Sequence, residues 1–331
     1  MGLSAIAPIL ICGLGSIGER HLRNLLNLGH KDIIVYRQRH LPPRTLEHEF
    51  PTFNKLSEAL ACKPALAIIC NPTALHLGTA IECARAGCHL LIEKPLGDTL
   101  EGVVELERLV TTHDLRCMVA YMGRFHPCIR KIMAWLDSGR IGDIVHYRAL
   151  WGDYLPDWHP YEDYRQGYAA RRDLGGGPTH TLSHELDLVY AMLGMPTTVS
   201  ALANRCSSLA IDTEHGMDIL LGFEHGATAN LHLDFFQKPP SRRMEINGTR
   251  GKITFDYQAA RAELYSHDES AAVEVLDIAH AFDRNDQFTA ELEYFLHCVE
   301  QGAEPRPNLA DGKQVVALAL NALRQAGELP A

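Results

Sequence analysis

Three sets of residues in this 331-residue chain have the type and spacing to do chemistry. The first is Gly13, Gly15 and Gly18, spaced G-x-G-x-x-G, with Ser16 and Ile17 inside the motif. The apolar stretch Pro8 to Cys12 precedes them, and Ile17, His21, Leu22, Leu25, Leu26 and Leu28 follow at helical spacing. A strand, a glycine turn and a helix in that order can cradle a dinucleotide pyrophosphate. Gly13 permits the tight turn, Gly15 lets backbone N–H groups approach the phosphates, and Gly18 lets the helix close on the strand. The helix N-terminus then faces the anion with its partial positive charge. The second set is Glu93-Lys94-Pro95, directly after the apolar run Cys88 to Ile92. Proline restrains the lysine before it and admits a cis peptide, which can aim the Lys94 ammonium into a cleft. The third is His180 and His184, four apart and so on one face of a predicted helix. Two histidines at that spacing could ligate zinc, but no third ligand of the H-E-x-x-H type accompanies them, and no metal is expected.

The elements that must position these residues alternate through the first 122 positions. Predicted strands cover Ile33 to Tyr36, Ala65 to Cys70, Cys88 to Ile92 and Cys117 to Tyr121. Predicted helices cover Leu56 to Leu60, Thr73 (as cap) through Ala86, and Leu100 to Thr112. Continuous apolar strands suit a parallel sheet covered on both faces, and the alternation implies a doubly wound Rossmann sheet with right-handed crossovers. A NAD-preferring site places an acid near the end of the second strand to hold the ribose 2′-hydroxyl. Here the chain reads Tyr36-Arg37-Gln38-Arg39. Two guanidiniums suit a 2′-phosphate, which favours NADP(H) over NAD(H); a solvated basic loop is the other reading. Asn71-Pro72-Thr73 closes the third strand, and His76 follows in the first turn of the next helix, the end of the sheet where ligands bind. These four residues join Gly13, Gly15, Ser16, Ile17, Gly18, Arg37, Arg39, Glu93 and Lys94 as candidate cofactor contacts. A surface histidine is the alternative for His76.

GLGSIG, NPTALH and EKPL at these separations resemble the Gfo/Idh/MocA family of nicotinamide-dependent oxidoreductases. GRFHP at Gly123 to Pro127 resembles the segment after that family's nucleotide domain, and the likeness extends over essentially the whole chain. DYLPDWHP and SHELD resemble a bacterial subgroup of surface-sugar and nucleotide-sugar metabolism. The resemblance implies hydride transfer between NAD(P) and a hydroxyl or keto carbon of a sugar, sugar acid or nucleotide sugar. Its members carry a Lys-Asp-His set. With His184 on the family histidine, His180 stands where many members have Asp (Thr181 in an alternative frame), so the expected catalytic set is Lys94, His180 and His184 without the carboxylate.

Oxidising a carbinol carbon requires the hydroxyl proton to leave with the hydride, and an imidazole suits that task near neutral pH. His184 is the expected proton carrier. Lys94 would hydrogen-bond the reacting oxygen, or carry the proton itself if a cationic ring nearby lowers its pKa. His180 would position substrate or tune its neighbour. Two rivals accompany this reading: a non-catalytic NAD(P)-binding regulator, and a glycosidase with tightly bound NAD. Net consumption of free cofactor separates both from a reductase.

The second half begins with a predicted helix, Cys128 to Ser138, and a strand, Ile144 to Leu150. Seven of the chain's 14 Tyr and Trp residues then fall between positions 147 and 168. Such rings give a sugar an apolar face, and they also pin a long loop; both uses are expected. Trp158 and Tyr168 are candidate substrate contacts, with Lys94, Arg124, Arg171, His180 and His184. Arg124 and Arg171 either meet a substrate anion or form structural ion pairs. From Thr197 the pattern turns to strands: Val199 to Arg205, Met217 to Phe223, Thr228 to Phe235, Arg243 to Asn247 and Lys252 to Tyr257. Phe223 to Ala227 and Asn247-Gly248 read as hairpin turns. Two helices close the chain, Asp286 to Glu300 and Leu309 to Ala326. The expected architecture is α/β plus α+β. Residues 1–122 form a Rossmann NAD(P)-binding domain; residues 123–331 form a substrate and oligomerisation domain with a large, mostly antiparallel open sheet packed on helices. The resemblance implies a homodimer or homotetramer through that sheet.

The totals narrow the class. A net charge of −10 without a basic block argues against nucleic acid as a partner. No stretch approaches the ~20 apolar residues of a membrane span, and no secretory leader is read. Nine scattered cysteines with no C-x-x-C favour a reducing cytoplasm.

Overall fold

The apolar runs of the first 121 residues pair as a parallel sheet. A computed structural model describes residues 8–38, 50–205, 208–268 and 273–330. In chain order the first elements are β1 (Ile9–Cys12), α1 (Ser16–Asn27), β2 (Ile33–Tyr36), β3 (Thr52–Phe53), α2 (Leu56–Leu60), β4 (Leu66–Ile69), α3 (His76–Arg85), β5 (His89–Glu93), α4 (Val103–Thr112) and β6 (Cys117–Ala120). The sheet order β3-β2-β1-β4-β5-β6 is doubly wound, with the reversal between β1 and β4. All residues of β1, β4 and β6 are buried, as strands covered on both faces require. Thr73 opens a short 3-10 turn ahead of α3 and makes no side-chain cap, contrary to expectation. The α-helix proper begins only at His76, so Thr73 lies too early in the chain to cap it.

The second half contributes α5 (Pro127–Asp137), β7 (Ile144–Gly152), α6 (Pro178–Thr181), α7 (His184–Leu193), β8 (Thr198–Asn204), β9 (Gly216–Gly222), β10 (Thr228–Asp234), β11 (Ser241–Gly248), β12 (Gly251–Asp256), β13 (Arg261–Ser266), β14 (Glu274–Asp277), α8 (Arg284–Gln301) and α9 (Leu309–Gln325). Its eight-stranded sheet has the order β14-β13-β12-β11-β7-β10-β9-β8. Among the described residues its neighbours pair antiparallel, except β7 with β10. Alternation sorts the two faces. Met217, Ile219, Leu221, Leu231 and Leu233 are buried, while Leu202 and Leu220 on the other face are 76% and 58% exposed. Gly248 lies inside β11 beside an irregularity in register, so the hairpin falls at Thr249-Arg250 and not at Asn247-Gly248. A Cβ on Gly248 would come within 2.2 Å of the Ile141 carbonyl oxygen, which explains a glycine in a strand. β13 and β14 were not anticipated.

The chain divides into one unit of residues 1–121 with 288–313, and another of 122–287 with 314–331. A single cut after residue 122 misses this return. The reason is an edge: β6 ends the parallel sheet, and the Val119 N–H donates to the Pro307 carbonyl at 3.1 Å while Met118 bridges Asn308. A covered edge cannot pair with another chain. Lys313 adds an ion pair to Glu107 at 2.9 Å.

His126, from the GRFHP segment, is the N-cap of α5. Its Nδ1 accepts the Cys128 N–H at 3.1 Å, and its ring packs among Phe255, Tyr257 and Phe282. Burial, aided by the Arg242 charge, lowers its pKa to about 3. The unfolded chain therefore binds a proton that the folded one refuses between pH 6.5 and 3, and stability falls as pH falls through that window. His126→Asn keeps a capping oxygen and loses the titration. Urea unfolding at stepped pH should show the wild type losing about 1 kcal/mol more per pH unit than the variant in that window.

Candidate active site

The glycine turn has the geometry its spacing implies. Gly13 has φ +100°, and a Cβ there would lie 2.8 Å from the Asn71 nitrogen. A Cβ on Gly18 would lie 2.1 Å from the Gly13 carbonyl oxygen, so α1 closes on the turn only because that side chain is absent. Gly15 is different: it is exposed, nothing lies within 4 Å of a Cβ built there, and as N-cap of α1 it offers no side chain to the first-turn N–H groups. Helix geometry leaves the N–H groups of Ser16, Ile17 and Gly18 without an acceptor inside the helix, which suits a pyrophosphate. Arg37 is half-buried just past the end of β2, its N–H bonded to the Phe53 carbonyl. Arg39 lies outside the described residues.

Lys94 is half-buried at the end of β5, and its peptide to Pro95 is cis. Its neighbours are gripped from both sides. Glu93 Oε1 lies 2.8 Å from His21 Nε2 of α1, and Glu93 Oε2 accepts the Lys94 N–H at 3.3 Å. Both side chains are nearly inaccessible, so Glu93 acts as an internal anchor where a cofactor contact was expected. His76 is likewise no surface residue: it is buried, with Nδ1 2.8 Å from the Pro95 carbonyl oxygen and Nε2 2.8 Å from that of Asn71. Burial holds its pKa below the ordinary histidine value, against the pull of both carbonyls and of Glu93. Asn71 also donates to Thr79 Oγ1 at 2.7 Å, and Pro72 is half-buried beside it.

In the second unit the predicted continuous helix through His180 and His184 is broken. Gly177 has φ +94°, α6 is one turn long, and α7 begins at His184 after Leu182 and Ser183. The two histidines, both buried, sit on different helices. The start of α6 is held by a carboxylate distant in sequence. The buried Glu214 carboxylate accepts the Thr179 N–H at 3.1 Å and lies 2.6 Å from where a Gly177 Cβ would be. Burial raises the Glu214 pKa, opposed by its bonds to Thr179.

α7 is fixed by two paired charges. Arg124 holds Asp187 through two bonds of 2.7 and 2.8 Å, so its fork is engaged within the protein. Arg242 donates to Glu185 at 2.5 Å, with both side chains buried, and burial raises the Glu185 pKa despite that cation. The Arg242 guanidinium also lies 4.2 Å from the centre of Trp151, on which the His184 ring stacks at 5.7 Å. Arg171 is bound to Asp173 on the surface. Five of the seven aromatic residues, Trp151, Tyr154, Trp158, Tyr164 and Tyr168, pack on a cluster built from Leu155, Leu182, Leu233 and Phe235. Trp158 meets Phe235 edge-on at 5.4 Å, and Tyr168 is half-buried. Pinning the loop is thus their visible role. Sequence reasoning missed His21, Glu214 and Arg242. Only Arg242 left a signal, as a charge on the same alternation as the core residues Met244 and Ile246.

A doubly wound sheet with an open glycine cradle and a separate sheet-on-helix unit define a dinucleotide-binding oxidoreductase. Residues 8–121 match the family model described as oxidoreductase family, NAD-binding Rossmann fold, and residues 129–254 match the GFO/IDH/MocA C-terminal domain. The chain belongs to the Gfo/Idh/MocA family and is an NAD(P)-dependent oxidoreductase. It is 28% identical over 286 residues to a D-xylose 1-dehydrogenase (NADP+) of Haloarcula marismortui, covering 81% of this chain and 73% of that one. It is 24% identical to an inositol 2-dehydrogenase of Rhizobium meliloti, covering 79% and 78%. Its fold matches a levoglucosan dehydrogenase solved with NADH and levoglucosan, at TM-score 0.84 and 18% identity over 97% of both chains. The UDP-N-acetylglucosamine 3-dehydrogenase of Acidithiobacillus ferrooxidans matches at TM-score 0.78 and 20% identity, over 97% of this chain and 98% of that one.

The last two glycines of the motif have opposite tolerances. Gly18→Ala should destabilise the protein by about 3 kcal/mol, since a methyl group meets backbone. Gly15→Ala should change stability by less than about 1 kcal/mol and still weaken nucleotide binding at least ~10-fold. Thermal unfolding and nucleotide titration of the two variants check the contrast.

Proposed function

We propose that this protein oxidises or reduces a hydroxyl or keto carbon of a sugar, sugar acid or nucleotide sugar, with NADP(H) preferred over NAD(H). The observation that carries the proposal is Lys94: a half-buried cation at the carboxyl end of a central strand, its neighbours on both sides held by buried histidines. A solvated surface lysine needs no such bracing. The names of the relatives support a sugar-type substrate, and Arg37 supports the 2′-phosphate.

The cofactor-holding set is the N–H groups of Ser16, Ile17 and Gly18, with Arg37 and Arg39 for the 2′-phosphate and Asn71, Pro72 and Thr73 at the next strand end. When bound, the nicotinamide ring supplies or accepts the hydride. Lys94 then donates a hydrogen bond to the reacting oxygen and stabilises its alkoxide character. His184 exchanges the hydroxyl proton, and Trp151 beneath its ring limits the ring's orientations. His180 orients substrate. Lys94→Met should lower kcat by at least ~10²-fold while the nucleotide dissociation constant stays within a few-fold; turnover kept by that variant would remove Lys94 from the mechanism. A panel of sugars, sugar acids and nucleotide sugars, followed by absorbance of reduced nicotinamide with each cofactor, identifies the substrate. Tighter NADH than NADPH binding in that panel would overturn the cofactor preference.

A reducing cytoplasm suits the thiols, since the eight described cysteines are free and seven of them are buried. Among the described residues no helix is long and apolar enough to cross a membrane. The exposed Leu202 and Leu220 support a second copy on the open sheet face, as a homodimer or homotetramer. Sedimentation equilibrium should give an even subunit number, and Leu220→Lys should shift it toward monomer; a wild-type monomer at micromolar concentration would dismiss the assembly.

A further inference from the structure

Two loops of the first unit carry candidate site residues: Asn71-Pro72-Thr73 after β4 and Lys94-Pro95 after β5. One imidazole spans them. His76, on α3, places its two ring nitrogens 2.8 Å from two backbone carbonyl oxygens, those of Pro95 and Asn71. Carbonyl oxygens only accept, so each contact needs an N–H from the ring. A neutral imidazole carries one N–H and an imidazolium two. Burial disfavours the second proton, and so does the Lys94 ammonium; the Glu93 carboxylate favours it.

The single N–H of the neutral ring therefore has to choose, and burial decides. The contact to Pro95 is wholly buried, whereas the one to Asn71 is reached in part by solvent. A buried carbonyl left without a donor loses the desolvation energy in full, while a partly exposed one can turn to water. The proton belongs on Nδ1, facing Pro95. We propose that His76 is a positioning residue for Lys94: its Nδ1–H holds the Pro95 carbonyl and so fixes the backbone from which the lysine projects. The protonated Nδ1 is thereby committed to the Pro95 carbonyl and does not contact the nucleotide. This inference rests on the catalytic part proposed above for Lys94.

The two isosteric amides separate the two contacts. In His76→Asn the amide N–H lies where Nδ1–H was and still reaches Pro95. In His76→Gln it lies where Nε2 was and reaches only Asn71. A displacement of the reacting group by about 1 Å is worth some 10²-fold in rate. We expect His76→Asn to lower kcat by about threefold and His76→Gln by about 10²-fold, with KM for substrate and the NADPH dissociation constant within about threefold in both. Equal losses of kcat in the two variants, or a larger loss in His76→Asn, would overturn the assignment. A rise of the NADPH dissociation constant by tenfold or more in both would make His76 a cofactor ligand instead. A merely structural role would lower the thermal midpoint of both variants alike without dividing their kcat. Should either variant fail to fold, the histidine 15N spectrum of the wild-type holoprotein decides: a protonated, slowly exchanging Nδ1 on His76 supports the assignment, and an unprotonated Nδ1 refutes it. Lys94→Met tests the underlying reading separately, because it leaves the His76 contacts in place.

Discussion

A hydrogen bond of 2.8 Å between His21 and Glu93 joins the helix of the glycine turn to the strand end that carries Lys94. His21 lies on α1, the helix whose start forms the glycine cradle, and Glu93 is the last residue of β5, one position before Lys94. The bond is out of reach of water, so its loss would leave a polar group stranded in the interior, at a cost of about 1–3 kcal/mol or more. More consequential than its energy is what it couples. The phosphate-facing helix cannot shift along its axis without dragging the strand end that carries the lysine. Close packing at Gly13 and Gly18 removes the remaining slack, because backbone meets backbone where other residues would interpose a side chain.

The second unit solves the same problem with charge. Glu185 and Asp187 flank the core side of α7, and each meets an arginine from elsewhere in the unit, Arg242 and Arg124. Buried ion pairs add little net stability compared with apolar residues of the same volume. What they do set is direction. A planar guanidinium bonded twice to Asp187 allows one rotation of the helix about its axis, and the Arg242 contact checks it on the neighbouring residue. His184, at the first position of that helix, inherits the orientation. Glu214 does the corresponding job for α6 by taking the Thr179 N–H.

Much of the fold was legible because hydrophobic periodicity is a local signal. β2 and β10 begin at the expected residue and β1 one residue inside its apolar run, and the mostly antiparallel second sheet followed from consecutive strand patterns. Three features were not legible, each for a tertiary reason. The return of residues 288–313 to the first unit exists to cover an edge strand nearly 200 positions earlier. The start of α6 is fixed by a carboxylate 35 residues from Thr179, a contact that no local spacing announces. The turn after β11 moved because Gly248 packs on Ile141. Of the residues chosen by motif, Glu93 ends β5 and His76 begins α3, and their polar atoms face His21, Pro95 and Asn71. A motif gives position; only the partners reveal whether a polar group faces a ligand or the protein.

The acids around the two histidines are likewise bound into the fold. Three carboxylates lie on or against the two short helices that carry the histidines: Glu185, Asp187 and Glu214. Each is already engaged, by Arg242, Arg124 and the Thr179 N–H. Each of these contacts fixes a helix that carries one of the histidines, so His180 and His184 take their direction from acids bound into the fold. The fold has put these buried negative charges to structural use.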